Sequence, residues 1–281
     1  MAKGIGLIGN FKGKVGNTVG YKLTASNNGQ TQGIRVYQPV VKNPKSAGQA
    51  EQRAKLLAVN ATYRALKMVI DRGNEGLPYG NKSRLAWLKG ALMATQMPWI
   101  ERGEMVTHPV GCLISKGSLQ SLGYTPKSDN ISVECIGATS STQVTTIGNV
   151  STALKAAYPF LKDGDQITFV YVPAKDSMLT AEVISFVIDT TSAVAANTLF
   201  ASVTAADDKV DFEGHLAGDM GVVIVSRQGD NGEHLRSNET LVIPADIYTA
   251  APYDAKSKAA AIASYRACAA NNSDWAEESI Q

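Results

Sequence analysis

The chain has 281 residues, 44% hydrophobic, 19% charged and 7% aromatic, a globular composition with room for one large or two ordinary domains. No run approaches 18 uninterrupted apolar residues, which argues against a helical membrane span, and the opening Met1-Ala2-Lys3-Gly4 leads into glycines and lysines rather than a secretory apolar stretch. Three cysteines without CxxC spacing and three histidines leave little for a disulfide framework, a metal site or acid–base chemistry, so neither a cofactor nor an enzymatic activity is expected.

Charge divides the chain. Residues 1–125 hold 17 Lys and Arg against 5 Asp and Glu, a net of +12, whereas residues 126–281 hold 10 against 20, a net of −10. A basic half favours phosphate or another acidic surface. Opposite halves also attract each other, within one molecule or between copies.

Residues 1–33 are rich in Gly, Lys, Asn and Gln, with single apolar residues between them. Asn27-Asn28-Gly29 is a hairpin turn signal. The pattern predicts an extended arm or β-hairpin, continued by a strand through Ile34–Tyr37 and stopped at Pro39. Asn43-Pro44 then breaks the chain, and Ser46 with Gln49 fits a capping box. Leu56, Val59, Tyr63, Leu66 and Ile70 recur at helical spacing, ended by Arg72 and Gly73. A second helix is expected from about Ser83 to Thr95, with Leu85, Leu88 and Leu92 as its stripe and Trp87 beside it. The two read as a helical hairpin.

From Ile131 onward the pattern turns to short β-type runs separated by Gly, Asp, Asn and Ser. Expected strands are Ile131–Ile136, Gln143–Ile147, Gln166–Val172, Glu182–Ile188, Thr198–Val203, Val222–Ser226 and Glu239–Ile243. In Gln166–Val172 both alternating sets are β-formers, which predicts cover on both faces. Gln228–Gly232 reads as a turn between the last two strands. An Ala-rich helix is expected over 255–270, followed by an acidic tail with Asp274, Glu277 and Glu278.

Among short motifs, Gly4-Ile5-Gly6-Leu7-Ile8-Gly9 satisfies GxGxxG but lacks the preceding strand and following helix that a dinucleotide needs. The glycines suit tight turns instead. Lys12, Lys14, Lys22, Arg35, Lys42, Lys45 and Arg53, interleaved with Phe11, Tyr21 and Tyr37, have the composition of a surface that stacks unpaired bases beside phosphate contacts. The rival reading is a solvated arm whose aromatics anchor it to its own core. His215 and His234 lie near Asp211, Glu213 and Glu233 without ligand spacing, and Cys112 and Cys135 sit in apolar runs as buried small hydrophobes.

Gly13-Lys14-Val15-Gly16-Asn17-Thr18-Val19-Gly20-Tyr21, then Asn43-Pro44 with Ser46, Gln49 and Arg53, resembles an uncharacterised family of Bacteroidetes bacteria and their phages. Its members open with GKxGNxVGY and continue with NPxTxxQxxxR into an amphipathic helix. Ser46 stands where Thr is usual, a conservative change for an N-cap. The segment Gly232–Val242 is similar to that family's closing strand. The specific part covers roughly residues 4–70, and the resemblance implies a phage or mobile-element context rather than a chemistry.

The expected fold is α+β. A basic Gly-rich arm spans 1–43, a helical region 44–125, and an antiparallel, Ig-like β-sandwich 126–281 with a C-terminal helix and acidic tail. The expected function is a non-enzymatic, virion-associated phage structural protein, found in the virion and in the host cytoplasm during assembly. Its basic half would contact other virion proteins, copies of itself in a homo-oligomer, or the genome, with no membrane partner. The alternative is a protein that binds single-stranded DNA or RNA. A sugar- or surface-binding sandwich rests on fold analogy alone.

Overall fold

The computed structural model describes residues 13–22, 32–37, 46–127, 130–138, 140–173, 178–216, 218–229 and 233–271. The chain divides into two compact units, Met1–Pro44 and Lys45–Gln281.

The first unit is a three-stranded antiparallel sheet of β1 (Gly13–Val15), β2 (Thr18–Lys22) and β3 (Gln32–Val36), in that order. β1 and β2 are joined by the two-residue turn Gly16-Asn17, with Val15 opposite Thr18. Gly16 takes φ +59° there, a backbone region open to glycine and strained for most side chains. The expected Asn27–Gly29 turn lies outside the described residues, although the strands on either side of it pair antiparallel.

The second unit begins with helices α1 (Ala47–Ala65), α2 (Lys67–Ile70) and α3 (Asn81–Leu92), followed by β4 (Leu113–Ser115). β5 (Tyr124–Pro126) and β6 (Asn130–Glu134) precede α4 (Ile147–Ala157). The strands β7 (Gln166–Val172), β8 (Glu182–Val187), β9 (Ser202–Ala206), β10 (Lys209–Glu213), β11 (Met220–Gln228), β12 (His234–Arg236) and β13 (Glu239–Thr240) come next. α5 (Ala245–Tyr248) and α6 (Ala255–Asn271) close the described chain. The fold is α+β, with two four-stranded antiparallel sheets ordered β5-β6-β10-β9 and β12-β11-β7-β8 and a small pair β13-β4.

β7 and β11 sit at the centre of this unit because both their faces are buried. Ile167, Phe169 and Tyr171 of β7, with Val223 and Val225 of β11, join Ile131, Val133, Val210 and Phe212 of the other sheet in one cluster. Val170 and Val172, with Met220, Val222 and Ile224, join Val59, Leu66, Ile70 and Trp87 of the helices in a second cluster. The doubly covered strand expected from its two β-forming sets is what forms. Phe169 centres the first cluster, 4.6 Å from the Phe212 ring and edge-on to Phe200 at 5.3 Å. The Tyr171 hydroxyl spans the two sheets, donating to the Phe212 carbonyl at 3.0 Å. At Gly221 of β11 the Ile131 side chain lies directly against the backbone, since a Cβ there would lie 2.6 Å from Ile131 Cδ1. Each cluster also holds one buried thiol, Cys135 in the first and Cys112 in the second. Burial pushes both thiols up to about 12.

Several expectations are corrected. The first stripe is buried at Val59, Leu66 and Ile70, but Leu56 is 43% exposed, and in the second Leu85 is 50% exposed while Leu88 and Leu92 are only partly buried. On α1 the row Ala50, Ala54, Ala58 and Thr62, one turn apart, is buried together with Val59, and the buried row on α3 is Ser83, Trp87 and Ala91. Small residues allow close helix approach, and α6 packs along α1. Gln143–Ile147 is no strand: a short helical turn, Ser141–Val144, leads to Thr146, which caps α4 by accepting from the Asn149 amide at 3.2 Å. The strand expected at Thr198–Val203 lies further on as β9, which turns into β10 through Asp207 and Asp208, both at positive φ. The capping box forms by half: Ser46 accepts from the Gln49 amide at 3.3 Å, while Gln49 Oε1 is buried without a partner. Position 125 lies inside β5 and within the second unit, whose helices and sheets share a buried cluster.

One buried ion pair ties the core's edge. Arg227, where β11 leaves the core, meets Asp165 through Nε and Nη2, each at 2.6 Å, and donates to the Phe160 carbonyl at 2.7 Å. Asp165 is 1% exposed. Arg227→Ala leaves that carboxylate buried without its cation and is expected to cost about 3 kcal/mol or more. Lys155→Ala, which breaks the solvated Lys155–Asp163 pair, is expected to cost less than about 1 kcal/mol. Urea denaturation of both variants checks the contrast.

Glu239 is 4% exposed, receives the Tyr124 hydroxyl at 3.2 Å on Oε2, and leaves Oε1 without a partner. Burial raises this carboxyl above its ordinary value of 4.5. The folded protein therefore holds the proton more tightly than the unfolded chain, and stability falls as pH rises from 4.5 through the folded value. Glu239→Gln is expected to flatten that decline and to equal or exceed the wild type at pH near 7; thermal melts across a pH series measure it.

Candidate basic interface

The candidate surface in the first unit is built by strand register. Lys14 stands opposite Val19, and Val19 stands opposite Arg35, so the two cations flank one valine in a cross-strand row. Side chains opposite each other share a face of a sheet. Lys14 and Arg35 are exposed, as is Val36 on the opposite face. Tyr37 follows β3, held by its amide donating to the Asn17 carbonyl at 2.8 Å. Its half-buried ring lies beneath the Lys14 ammonium, 3.6 Å from Nζ to centroid, a cation–π arrangement. Of the candidate residues, the structure thus joins Lys14, Arg35 and Tyr37. Tyr21 and Lys22 are placed by backbone, opposite Gly33 and Gln32. Phe11, Lys12, Lys42 and Lys45 lie outside the described residues, as do the GxGxxG segment and the acidic tail.

Arg53 belongs to the second unit, exposed on α1. Its neighbours on the helical layer form a basic surface that the sequence stripes had concealed. Arg64, Lys67, Arg72, Lys82 and Lys89 are exposed as well. The nearby acids are engaged internally. Glu51 meets Lys55 at 3.2 Å and Lys258 of α6 at 3.3 Å. Asp71 accepts the Tyr63 hydroxyl at 2.8 Å, and Glu75 accepts the Ser118 amide and hydroxyl, each at 2.8 Å. The signal available in sequence was the i, i+4 row of small residues on α1, which rotates the helix and puts Arg53, Leu56 and Arg64 outward.

The remaining chemistry-bearing residues stay apart. His215 pairs with Glu182 at 2.9 Å, and the His234 ring lies 5.0 Å from that of Tyr79, tilted by 40°. No three of His, Cys, Asp and Glu gather as metal ligands among the described residues. An open cleft of about 520 Å³ sets Lys127 beside Asp219 and Asp246. No described helix is long and apolar enough to cross a membrane. The chain matches no family model, no curated protein and no solved structure.

Hydrogen bonding from Lys55, then Lys258, holds the Glu51 carboxyl below its ordinary 4.5. A lowered carboxyl stabilises the fold above the unfolded value and loses that contribution as pH falls through the folded one. The Lys55–Glu51–Lys258 clamp between α1 and α6 is thus expected to release below pH 4.5. Amide exchange should then quicken along α6, and Glu51→Gln should produce the same quickening at neutral pH.

Proposed function

We propose that the chain is a non-enzymatic, virion-associated structural protein of a phage whose basic N-terminal unit mediates assembly. The observation that carries this reading is charge without counter-charge. Residues 1–44 contain six Lys and Arg and no Asp or Glu, and in the sheet Lys14 and Arg35 stand on one face. Burying them together without acidic partners would be very costly, so they face water, phosphate or an acidic protein patch. Residues 126–281, at net −10, offer such a patch on a neighbouring copy. The resemblance of residues 4–70 to the phage-associated family supports the same context.

The β part of this reading is an immunoglobulin-type sandwich. What supports it is strand order: β5, β6, β7, β8, β9, β10, β11 and β12, read as A, B, C, C′, D, E, F and G, give sheets A-B-E-D and G-F-C-C′. α4 is then an insertion between strands B and C.

Nucleic-acid binding is the second reading, favoured by the half-buried Tyr37 ring beside Lys14 and Arg35. Changing Lys12, Lys14, Lys22 and Arg35 together to Glu is expected to abolish incorporation into particles while leaving the melting transition nearly unchanged. Assembly by the quadruple variant would sink the proposal. A steep fall in affinity for an oligonucleotide with rising salt, removed in the same variant, would instead favour the second reading.

A further inference from the structure

We propose that an open groove on the second unit receives the N-terminal segment 1–12 of a second copy of this chain. The inference rests on the assembly role given above to the basic unit, and it names the surface that takes it up. The groove has two connected parts. A wide cleft of about 520 Å³ lies between Pro126 and Lys127 at the end of β5, Asp219 ahead of β11, and Pro244, Asp246 and Ile247 at α5. A narrower hollow of about 300 Å³ continues beside Tyr124, Gly221, Thr240 and Val242. Pro126 and Pro244 line both, so the two run into each other. Both volumes fall within the roughly 300–1,000 Å³ of ligand-binding clefts.

The walls are held before anything binds. The Lys127 amide donates to the Asn130 carbonyl at 2.8 Å, closing the turn between β5 and β6, and the Tyr248 amide donates to the Pro244 carbonyl at 2.8 Å, closing α5. The His108 ring, also in the cleft wall, meets Tyr253 edge-on at 5.8 Å, and the Tyr253 hydroxyl donates to the Pro109 carbonyl at 2.6 Å. The two parts differ in chemistry. In the narrow part Val242 is 61% exposed between the buried Leu241 and Ile243, an apolar side chain held out beside Tyr124. In the wide part Lys127, the one Lys or Arg among the described lining residues, lies 3.5 Å from Asp211. Asp219 and Asp246 have no ion pair among the described residues.

A ligand that suits both parts carries a cation next to apolar side chains, on a backbone slim enough for an open groove. Residues 1–12, which lie outside the described residues, have that composition. They hold Lys3 and Lys12, the apolar Ile5, Leu7, Ile8 and Phe11, three glycines and no Asp or Glu. Bound extended, the segment sets Lys3, Ile5 and Leu7 on one side and Gly4 and Gly6 on the other, because side chains alternate along a strand. Lys3 then meets Asp219 and Asp246, while Ile5 and Leu7 enter the narrow part beside Tyr124 and Val242. Opposite charge across such a contact selects the partner and fixes its register. At about 3.3 Å per residue the twelve residues span about 40 Å, a reach that lets the segment cross from one molecule to the next.

Self-association of the full chain, followed by analytical ultracentrifugation at low and high salt, tests this. Wild-type copies are expected to associate, and less so at high salt. Lys3→Glu in one variant and Asp246→Lys in another are each expected to weaken association about tenfold or more. Their equimolar mixture is expected to associate like the wild type, because the unchanged Lys3 of one meets the unchanged Asp246 of the other and the two substituted positions attract as well. Asp246 and Val242 are exposed, so unaltered melts verify the fold, and Val242→Glu is expected to weaken association to a similar degree. The proposal is overturned by variants that associate like the wild type, by a mixture that does not recover, or by a wild type that stays monomeric because another occupant or none fills the groove. None of these substitutions is among the four that test the assembly role, so the two failures are distinct. Exclusion of the fourfold variant from particles, with Lys3→Glu and Asp246→Lys associating normally, keeps the assembly role and discards the groove. Incorporation of the fourfold variant discards the assembly role and leaves the mixture to judge the groove.

Discussion

A strand pair buried on both faces leaves almost no freedom to its sequence, and β7 with β11 is such a pair. Each inward side chain on one face must pack against the second sheet and each on the other against the helices. Apart from Thr168 and the Tyr171 hydroxyl, which finds the Phe212 carbonyl, polar side chains appear only where these strands leave the core. Ser226 and Arg227 mark that exit on β11, and Arg227 is immediately neutralised by Asp165 just before β7. The two clusters are thus joined through shared backbone. Removing the helical layer would expose Val170, Val172, Val222 and Ile224 together, so the helices and the β-sheets of this unit depend on each other for cover.

What the sequence made legible follows from local chemistry. β7 was bounded to the residue because its β-formers run unbroken between Asp165 and Pro173. The start of α1 followed from Ser46, and α6 from its alanines. The failures are tertiary. Leu56 and Leu85 satisfy helical spacing, yet alanine rows decide which face docks when the neighbour is another helix. Thr145-Thr146-Ile147 reads as a strand by propensity, but Thr146 spends its hydroxyl on a cap. The Asp207-Asp208 turn carried a weak signal, since aspartate tolerates positive φ less readily than the Asn-Gly pairs that announce a hairpin. The tie between the loop after α2 and β12 could not have been read from sequence, because Glu75 and Arg236 are 161 positions apart.

The distribution of charge has a physical logic beyond the net figures. In the helical layer Glu51, Asp71 and Glu75 bond to lysines, a hydroxyl and amides, while Arg53, Arg64, Lys67, Arg72, Lys82 and Lys89 are exposed. Such sorting gives a positive surface larger than composition alone would indicate, because the compensating carboxylates are engaged in internal bonds. It also explains why the helical layer of the second unit, and not the glycine-rich arm alone, presents cations.

Cys112 and Cys135 extend this picture into kinetics. Each lies in a different cluster, and burial keeps both as neutral thiols rather than the thiolates that react with alkylating agents. Their modification therefore requires each core to open. The chain carries an internal clock on either side of its central sheet, one timing the separation of helices from strands and the other the separation of the two sheets. Differing labelling rates at the two positions would rank the two layers by the free energy of local opening, with no foreign probe introduced into the molecule.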